Sequence, residues 1–199
     1  MQLITSHLNT DFDSLASMIA VRKLYPDAMI CPPGAMGRKV RDFMAHYGHQ
    51  WKFLKPKNVP MEQVTLMVVV DTRARSRIGT FAALAGRHDV SVHIYDHHPP
   101  TVDDIPAETM QWAPIGATVT MLVEQLVRER KPISPEEATL FALGIYDDTG
   151  ALTYESTTAR DVLAVARLRE MGADLSRILA RAEVSMPAAE RRLLDVLAE

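Results

Sequence analysis

The sequence lacks several features that mark extracellular, membrane and strongly basic nucleic-acid-binding proteins. Its single cysteine, Cys31, excludes internal disulfides and thiolate zinc clusters and is typical of a reducing cytosol, so we expect a cytoplasmic protein. No apolar run reaches the length of a membrane span and no secretory signal is visible, so no membrane partner is expected. A formal net charge of -3 over 199 residues gives no global attraction to nucleic acid, so any such contact has to be local.

What is present is a regular alternation of strand and helix patterns. Short β-rich runs predict strands at residues 2–6, 28–31, 51–54, 65–71, 90–95 and 109–112. Helical spacing and capping signals predict helices at residues 14–24, 39–47, 116–130, 134–147, 157–171, 175–182 and 187–198. Strands that alternate with helices are typical of a parallel sheet with crossover connections. We therefore expect an α/β fold with a doubly wound, mostly parallel sheet flanked by helices.

Carboxylates and imidazoles stand where these predicted elements end. The run from Val92 to Tyr95 leads directly into Asp96, His97 and His98, and the prolines that follow cannot extend a central strand. At the carboxyl end of a parallel strand, such side chains point into the crevice where open α/β sheets bind ligands. Oxygen and imidazole ligands without thiolates suit Mg²⁺ or Mn²⁺, and imidazole also suits zinc or iron. The full set of such residues is His7, Asp11, Asp13, Asp71, Asp96, His97, His98 and Asp148.

Two of these groups are not explained by helix capping alone. The loop with His7, Asp11 and Asp13 precedes a predicted helix, and capping accounts for one of its carboxylates but not for three ligands in one loop. Asp147 and Asp148 end a predicted helix at the negative end of its dipole, where a bound cation would offset the repulsion. Both patterns favour a metal site.

Three arginines follow the predicted strand that ends at Asp71. We interpret Arg73 and Arg75 as part of a solvated basic loop. Arg77 is placed to reach back toward a bound phosphate, because a guanidinium group pairs with phosphate through two hydrogen bonds.

Together these motifs resemble the DHH phosphoesterase superfamily, which is named for the sequence at residues 96–98. The first motif appears at residues 7–13, the second at 69–71 with 77–79 behind it, and the fourth at 144–150. The superfamily includes RecJ-like exonucleases, nanoRNases, cyclic-dinucleotide phosphodiesterases, exopolyphosphatases and family II pyrophosphatases. Within it, the chain is most similar to the N-terminal module of bacterial proteins that join a DHH domain to CBS domains and a tRNA nucleotidyltransferase, or poly(A) polymerase-related, domain.

The resemblance implies a site for two Mn²⁺ ions, with Mg²⁺ as the alternative. The implied ligands are His7, Asp11 and Asp71 for one ion, and Asp13, Asp71, His97 and Asp148 for the other. The implied catalytic residues are Asp71, which bridges the ions, His97, and His98, which contacts the substrate phosphate. The residues implied to orient an imidazole, to support the site or to contact the substrate are Asp96, Arg77 and Thr149.

The resemblance implies a metal-dependent phosphodiesterase, similar to a 3′–5′ exonuclease, that acts on nucleotides, short RNA or single-stranded DNA. Two alternatives stay open: a non-catalytic nucleotide- or RNA-binding module of a tRNA nucleotidyltransferase, and a pyrophosphate or polyphosphate hydrolase. A complete ligand set favours catalysis, because an idle site would be free to lose its ligands. The low positive charge and the lack of the family's usual smaller partner domain favour the binding module.

The sequence also suggests a domain boundary. Residues 1–185 are expected to form the DHH catalytic domain, and residues 186–199 to begin a helix that connects it to an absent C-terminal domain. The chain would then be a fragment of a larger RNA-processing enzyme, and the remaining domains of that enzyme would be its partners. A homodimer is left open.

Overall fold

The central sheet has five strands that run in the same direction. In a computed structural model, which describes residues 1–174 and residue 176, the strands are β1 Gln2–Thr5, β2 Ala28–Ile30, β3 Leu66–Val70, β4 Ser91–Asp96 and β5 Thr109–Trp112. Their order is β2-β1-β3-β4-β5, and each neighbouring pair is parallel. The predicted doubly wound parallel sheet is therefore confirmed.

Five α-helices lie among the described residues. They are α1 Phe12–Arg22, α2 Arg38–Tyr47, α3 Thr118–Arg128, α4 Pro135–Asp148 and α5 Ala159–Glu170, each within two residues of its predicted bounds. The start of α4 is the predicted capping box. Ser134 Oγ accepts the N–H of Glu137 at 3.2 Å, and Glu137 Oε2 accepts the N–H of Ser134 at 2.9 Å.

The sheet separates two apolar cores. Successive side chains of a strand point to opposite faces, so one strand contributes to both cores. Ile4 and Val68 face the core that α1, α3, α4 and α5 complete. Leu3, Met67 and Val69 face the second core, which 3₁₀ turns and loops cover. Because both faces are buried, the central strands are apolar throughout, as parallel strands in α/β folds are.

The order of the strands reverses between β1 and β3. The chain passes from β1 outward to β2 on one side, and then returns to β3 and continues to β4 and β5 on the other side. In sheets of this kind the crevice at the carboxyl ends of the two strands beside the reversal is the usual ligand-binding position. His7 lies just beyond β1 and Asp71 directly follows β3, so both lie beside this crevice.

The strand predicted at residues 51–54 is wrong in its extent. Phe53 forms a single bridge with Ile30 of β2. The flanking residues form 3₁₀ turns at Gly48–Gln50 and Pro56–Asn58. Proline has no N–H group to donate to a sheet, so the pairing cannot extend past the second turn.

The interpretation of Arg73 as part of a solvated loop is also wrong, whereas Arg75 is exposed as expected. The chain after β3 forms a 3₁₀ segment, Arg75–Ala83, with one kink. The side chain of Arg73 is 13% exposed, and its Nε atom lies 2.7 Å from Asp104 Oδ2. Arg75 Nε donates to the carbonyl oxygen of Ala82 at 3.1 Å. The partner of Arg73 follows β4, so the local sequence gives no sign of the ion pair.

The predictions for the C-terminal part of the sequence remain predictions. The helices expected at residues 175–182 and 187–198 lie outside the described residues, and so does the expected boundary between residues 1–185 and 186–199. None of the described helices combines the length and the apolar character that a membrane crossing requires.

Candidate metal centre

Acidic and imidazole side chains from separate parts of the chain meet at the carboxyl edge of the sheet. They follow β1 and β3, end β4, begin α1 and end α4: His7, Asp71, Asp96, His97, His98, Asp11, Asp13 and Asp148. Among the described residues, all of these except Asp96 fall into three groupings in which the ligand atoms lie within 4.8 Å of one another. Every grouping contains Asp71.

The first grouping consists of His7, Asp11 and Asp71. His7 Nε2 lies 3.3 Å from Asp11 Oδ2 and 3.3 Å from Asp71 Oδ2. Ligand atoms that share an octahedral ion at about 2.1 Å stand about 3 Å apart, so these separations suit a divalent cation. Asp11 is also the N-cap of α1, where its Oδ1 atom accepts the N–H of Ser14 at 3.0 Å. The bond that starts the helix thus turns the other oxygen of Asp11 toward His7.

The second grouping consists of Asp13, Asp71, His97 and Asp148. His97 Nε2 lies 3.4 Å from Asp148 Oδ2 and 3.6 Å from Asp71 Oδ1. The two oxygens of Asp71 therefore face different groupings, Oδ2 the first and Oδ1 the second. A carboxylate in this position can join two ions that lie a few ångström apart.

The hydrogen bonding of the two ring nitrogens of His97 indicates whether a cation fits the second grouping. Its Nε2 atom is buried and makes no hydrogen bond to any described residue. Its Nδ1 atom lies 2.9 Å from the carbonyl oxygen of Ile115, which accepts the Nδ1 proton and leaves a lone pair on Nε2 in the neutral ring. A metal-ligating histidine typically has its second nitrogen held in this way. The residues present therefore fit a divalent cation.

Asp71 is buried and is held by two hydroxyl groups. Ser14 Oγ donates to Asp71 Oδ2 at 2.6 Å, and Thr118 Oγ1 donates to Asp71 Oδ1 at 3.2 Å. Ser14 Oγ also lies 2.7 Å from His7 Nε2. The backbone of Asp71 has a φ angle of 60°, a left-handed conformation that Asp and Asn adopt more readily than other residues with a side chain.

Asp13 joins α1 to the start of α3. Its side chain is fully buried. Asp13 Oδ2 accepts the N–H of Thr118 at 2.7 Å, and Oδ1 accepts the N–H of Val119 at 2.9 Å. The first N–H groups of a helix have no partner within the helix, and the positive end of the helix dipole favours a carboxylate. Asp13 thus caps α3, whose first residue, Thr118, lies 105 residues later in the sequence.

His98 is oriented by Asp96. Asp96 Oδ1 lies 2.8 Å from His98 Nδ1 and accepts the backbone N–H of His98 at 3.3 Å. Asp96 is buried, whereas the side chain of His98 is 39% exposed. Because Asp96 engages Nδ1, the Nε2 atom of His98 is the ring nitrogen left for a ligand from solution. His98 also belongs to the third grouping, with Asp71 and His97.

Two residues that the sequence analysis assigned to the site make other contacts. Thr149 Oγ1 donates to the carbonyl oxygen of Ile145 at 2.5 Å and accepts the N–H of Leu152 at 3.1 Å, so it closes the end of α4. Arg77 is exposed and forms no ion pair with a described residue; its carbonyl oxygen accepts the N–H of Leu8 at 2.8 Å.

Ser14 and Thr118 belong to the site but are absent from the sequence-based set. Ser14 directly follows Asp13, and this adjacency is the only signal that the sequence offers for it. Thr118 lies 47 residues from Asp71 along the chain, so no local pattern links the two.

The carboxylates raise the pKa values of His7, which is buried, and of His97, which is partly buried. Burial alone would lower the pKa of His7, but Asp11 and Asp71 outweigh burial and raise the pKa to about 10. Burial would likewise lower the pKa of His97, but the surrounding carboxylates, Asp148 first, raise the pKa to about 10. A metal ion must displace these protons when it binds, because only the neutral imidazole is a ligand.

The carboxylates of the candidate metal centre differ in how readily they hold a charge. Burial raises the pKa of Asp13, and the charges of Asp71 and Asp148 raise it further. Burial, reinforced by the neighbouring carboxylates, raises the pKa of Asp148 to about 6 against the effect of His97. Burial acts in the same direction on Asp71, but the hydrogen bond and charge of His7 and the charge of His97 outweigh it and lower the pKa. A bound dication would relieve the repulsion among these groups.

The metal-free chain should lose stability as the pH rises from about 6.5 to about 10. His7 and His97 have pKa values of about 10 in the folded chain against an ordinary 6.5, so their protonation stabilises the fold fully below pH 6.5, and this contribution is lost as the pH rises through 10. Unfolding midpoints measured with a chelator should fall across this range. His97→Gln should flatten the decline, whereas His49→Gln, at an exposed position, should not. A midpoint that rises with pH would contradict the prediction.

The sequence matches known proteins over most of its length. The model of the "DHH family, N-terminal domain" matches residues 2–145. An A-adding tRNA nucleotidyltransferase of Geobacter sulfurreducens is 39% identical over 198 residues, which cover 99% of this chain and 22% of the relative. A bifunctional oligoribonuclease and PAP phosphatase NrnA of Mycoplasma pneumoniae is 28% identical over 137 residues, which cover 65% of this chain and 42% of the relative. The chain therefore spans about a fifth of the length of the Geobacter protein.

The fold matches a solved structure as well. The crystal structure of an exopolyphosphatase-related protein from Bacteroides fragilis superposes with a TM-score of 0.78, covering 98% of this chain and 59% of that chain. The two sequences are 20% identical, so this likeness concerns the fold alone.

Proposed function

This chain belongs to the DHH family, and on that premise we propose that it is a two-metal phosphoesterase domain that hydrolyses phosphodiester bonds of nucleotides or short oligonucleotides. The observation that carries the proposal is the bridging position of Asp71, whose two carboxylate oxygens face two separate ligand groupings. Two-metal phosphoryl chemistry needs ions a few ångström apart, which a shared carboxylate provides. Relatives named as a tRNA nucleotidyltransferase and an oligoribonuclease support a nucleotide or RNA substrate.

The proposed ligands divide between two Mn²⁺ ions. They are His7, Asp11 and Asp71 for the first ion, and Asp13, Asp71, His97 and Asp148 for the second. Carboxylates and neutral imidazoles without thiolates suit Mn²⁺, with Mg²⁺ as the alternative. The chemistry that such ions supply is a lowered pKa for water and neutralisation of the charge on phosphoryl oxygens.

The remaining residues orient the ligands and contact the substrate. Ser14 stands between His7 and Asp71 and fixes the separation of these two ligands. His98 lies at the exposed side of the site, where Asp96 holds its Nδ1 atom. A second proton on Nε2 would make the ring of His98 a donor to a phosphoryl oxygen.

His98→Ala should lower turnover about a hundredfold and leave Mn²⁺ affinity nearly unchanged, because the variant removes a contact to the reacting phosphate but no proposed ligand. Turnover and calorimetric Mn²⁺ binding should be measured on the same preparation. His88→Ala, at an exposed position that follows the 3₁₀ segment, is the control and should match the wild type in both. A loss of Mn²⁺ affinity as large as the loss of turnover would make His98 a ligand, as the third grouping allows.

The proposed activity is tested by incubating an end-labelled short oligoribonucleotide with Mn²⁺ and either this chain or the longer protein that contains it. Products that shorten from the 3′ end would support a 3′–5′ exonuclease. Asp71→Ala should abolish cleavage in the longer protein. Equal rates for this variant and the wild type would overturn the proposal.

A second candidate function is an RNA- or nucleotide-binding module that does not cleave. It is favoured by the 39%-identical relative, which is named for adding a nucleotide and of which this chain covers 22%. In that case the chain works in the cytoplasm as one part of a longer RNA-processing enzyme. Retained Mn²⁺ binding and oligonucleotide binding without cleavage would support this function. Phosphate release from pyrophosphate or polyphosphate in the same assay would instead support the third expectation from the sequence.

A further inference from the structure

Residues 115–119, which we call the support segment, contact three of the proposed ligands. The carbonyl group of the first residue accepts the Nδ1–H of His97 at 2.9 Å. Two backbone N–H groups of the segment donate to Asp13 at 2.7 and 2.9 Å. The hydroxyl of Thr118 donates to Asp71 at 3.2 Å. The position of this segment therefore affects where the ligands of the second ion stand.

The carboxylate of Asp161, in the first turn of α5, holds this segment. Asp161 Oδ2 accepts the backbone N–H of Gly116 at 2.9 Å, and Oδ1 accepts the hydroxyl of Thr120 at 2.6 Å. Oδ2 also accepts the N–H and the hydroxyl of Thr158 at 2.8 and 2.7 Å. The side chain is fully buried. Burial alone would raise the pKa of Asp161, but the hydrogen bonds from Thr120 and Thr158 outweigh burial and lower it, so the group is charged.

Gly116 brings the support segment close to this carboxylate. A Cβ atom at position 116 would lie 2.5 Å from Thr149 Cγ2 and 3.0 Å from Asp161 Oδ2. The segment therefore lies directly against α5 and the end of α4, with no room for a side chain between them. If the carboxylate of Asp161 moved, the backbone that orients His97 would therefore move with it.

We propose that Asp161 is a positioning residue for the second metal ion, acting through the support segment on His97 and Asp13. This inference rests on the proposed two-metal function. None of the described ligand groupings contains Asp161, and its bond to the support segment is the one from the N–H of Gly116, so we assign its effect on the site to residues 115–119.

The contacts predict an unequal effect on the two ions. Of the support segment's contacts, those to His97 and Asp13 involve only the second ion, and the single contact to Asp71 involves the shared ligand. The first ion's own ligands, His7 and Asp11, are instead held by Ser14 at the start of α1. A general loss of stability would not distinguish between the ions in this way.

The test is an Mn²⁺ titration of the whole chain, followed by electron paramagnetic resonance, for the wild type and Asp161→Asn. Asn cannot accept four hydrogen bonds from these donors, because half of its polar head is an N–H₂ group. We expect the second ion to bind about tenfold more weakly, so that the signal of an exchange-coupled ion pair gives way to that of an isolated ion. The first ion should bind as in the wild type. The Nδ1–H resonance of His97 in the Mg²⁺-loaded chain should shift as well.

Leu168→Ala provides the matched control. Leu168 is a fully buried residue of the same helix and packs in the apolar core, so its truncation destabilises α5 but removes none of the hydrogen bonds of Asp161. This variant should leave the affinity for both Mn²⁺ ions and the chemical shift of the His97 Nδ1–H resonance unchanged. The positioning role would be overturned if Asp161→Asn lowered the affinity for both ions equally. It would also be overturned if Leu168→Ala lowered the affinity for the second ion as much as Asp161→Asn does. No Mn²⁺ binding by the wild type would overturn the proposed function instead.

A milder variant covers the case in which Asp161→Asn does not fold. Thr120→Val removes one donor to Asp161 and keeps the shape of the side chain. Thr120→Val should lower the affinity for the second Mn²⁺ ion by a smaller factor than Asp161→Asn does. It should shift the His97 resonance in the same direction. Wild-type values for both readouts in Thr120→Val would then overturn the inference.

Discussion

Asp71→Asn is expected to abolish the binding of both metal ions. The two oxygens of Asp71 face separate groupings, with Oδ2 3.3 Å from His7 Nε2 and Oδ1 3.6 Å from His97 Nε2. An amide offers one oxygen and no charge, so it cannot serve both sites. Because Asn also adopts the φ angle of 60° found here, the variant should keep the backbone that an alanine would strain. We expect each affinity to fall by more than about a hundredfold, beyond the loss typical when a residue that only supports a ligand is replaced.

Calorimetry with Mn²⁺ measures this effect directly, and circular dichroism on the same samples confirms that the chain is folded. Asp27→Asn is the matched control, because Asp27 is exposed and immediately precedes β2, at the edge of the sheet opposite the candidate metal centre. It should bind two ions as the wild type does. If Asp71→Asn still binds two ions with wild-type affinity, Asp71 is not the bridge and the two-metal proposal fails.

Gly144→Ala is expected to destabilise the chain by about 1–3 kcal/mol, the cost of forcing a methyl group into a packed contact. An added Cβ at Gly144 would lie 2.9 Å from Ala16 Cβ and 3.1 Å from the carbonyl oxygen of Phe12. This close approach of α4 to α1 sets the distance between Asp148, which ends α4, and Asp13, in the first turn of α1. The variant should therefore also lower the affinity of the chain for the second metal ion.

A double-mutant cycle separates this contact from helix propensity. Ala16→Gly alone should cost about 1 kcal/mol, as glycine does within a helix. In the double variant the methyl group moves from one helix to the other, so part of the lost stability should return as a favourable coupling energy of about 1 kcal/mol, measured by denaturant unfolding. Gly86→Ala is the control, since a Cβ there would meet its nearest neighbour at 3.5 Å and should cost little. Additive losses would show that the two helices do not meet as described.

Much of this architecture could be predicted because local pattern and tertiary position agree. The apolar run at 66–70 is buried on both faces and forms the central strand β3, so its composition alone indicates a parallel sheet. Of the two adjacent acids at the end of α4, Asp148, which the resemblance implies as a ligand, faces the candidate metal centre. Asp148 lies 3.4 Å from His97, whereas Asp147 lies 3.7 Å from Lys39. The resemblance of the motifs to the DHH superfamily is confirmed by the family match over residues 2–145.

The residues that could not be predicted act over long distances in the sequence. Thr118 reaches Asp71 and Asp161 reaches Gly116 only after the helices have packed, and hydroxyl and carboxylate groups of this kind are common on helices without such roles. The ion pair between Arg73 and Asp104 was missed for the same reason. Periodicity indicates which face of an element is buried, but it does not indicate which polar group will lie opposite.

The left-handed backbone at Asp71 restricts how this domain can change over evolution. A substitution there is easily accommodated only by Asn or Gly, because other side chains are strained at a φ angle of 60°. A lineage that gives up the two-ion site can therefore keep its strand end and its fold by passing to one of these two residues. Lineages that are no longer selected for metal binding should therefore carry Asn or Gly at this position. Substitutions of the neighbouring histidines should follow that first change.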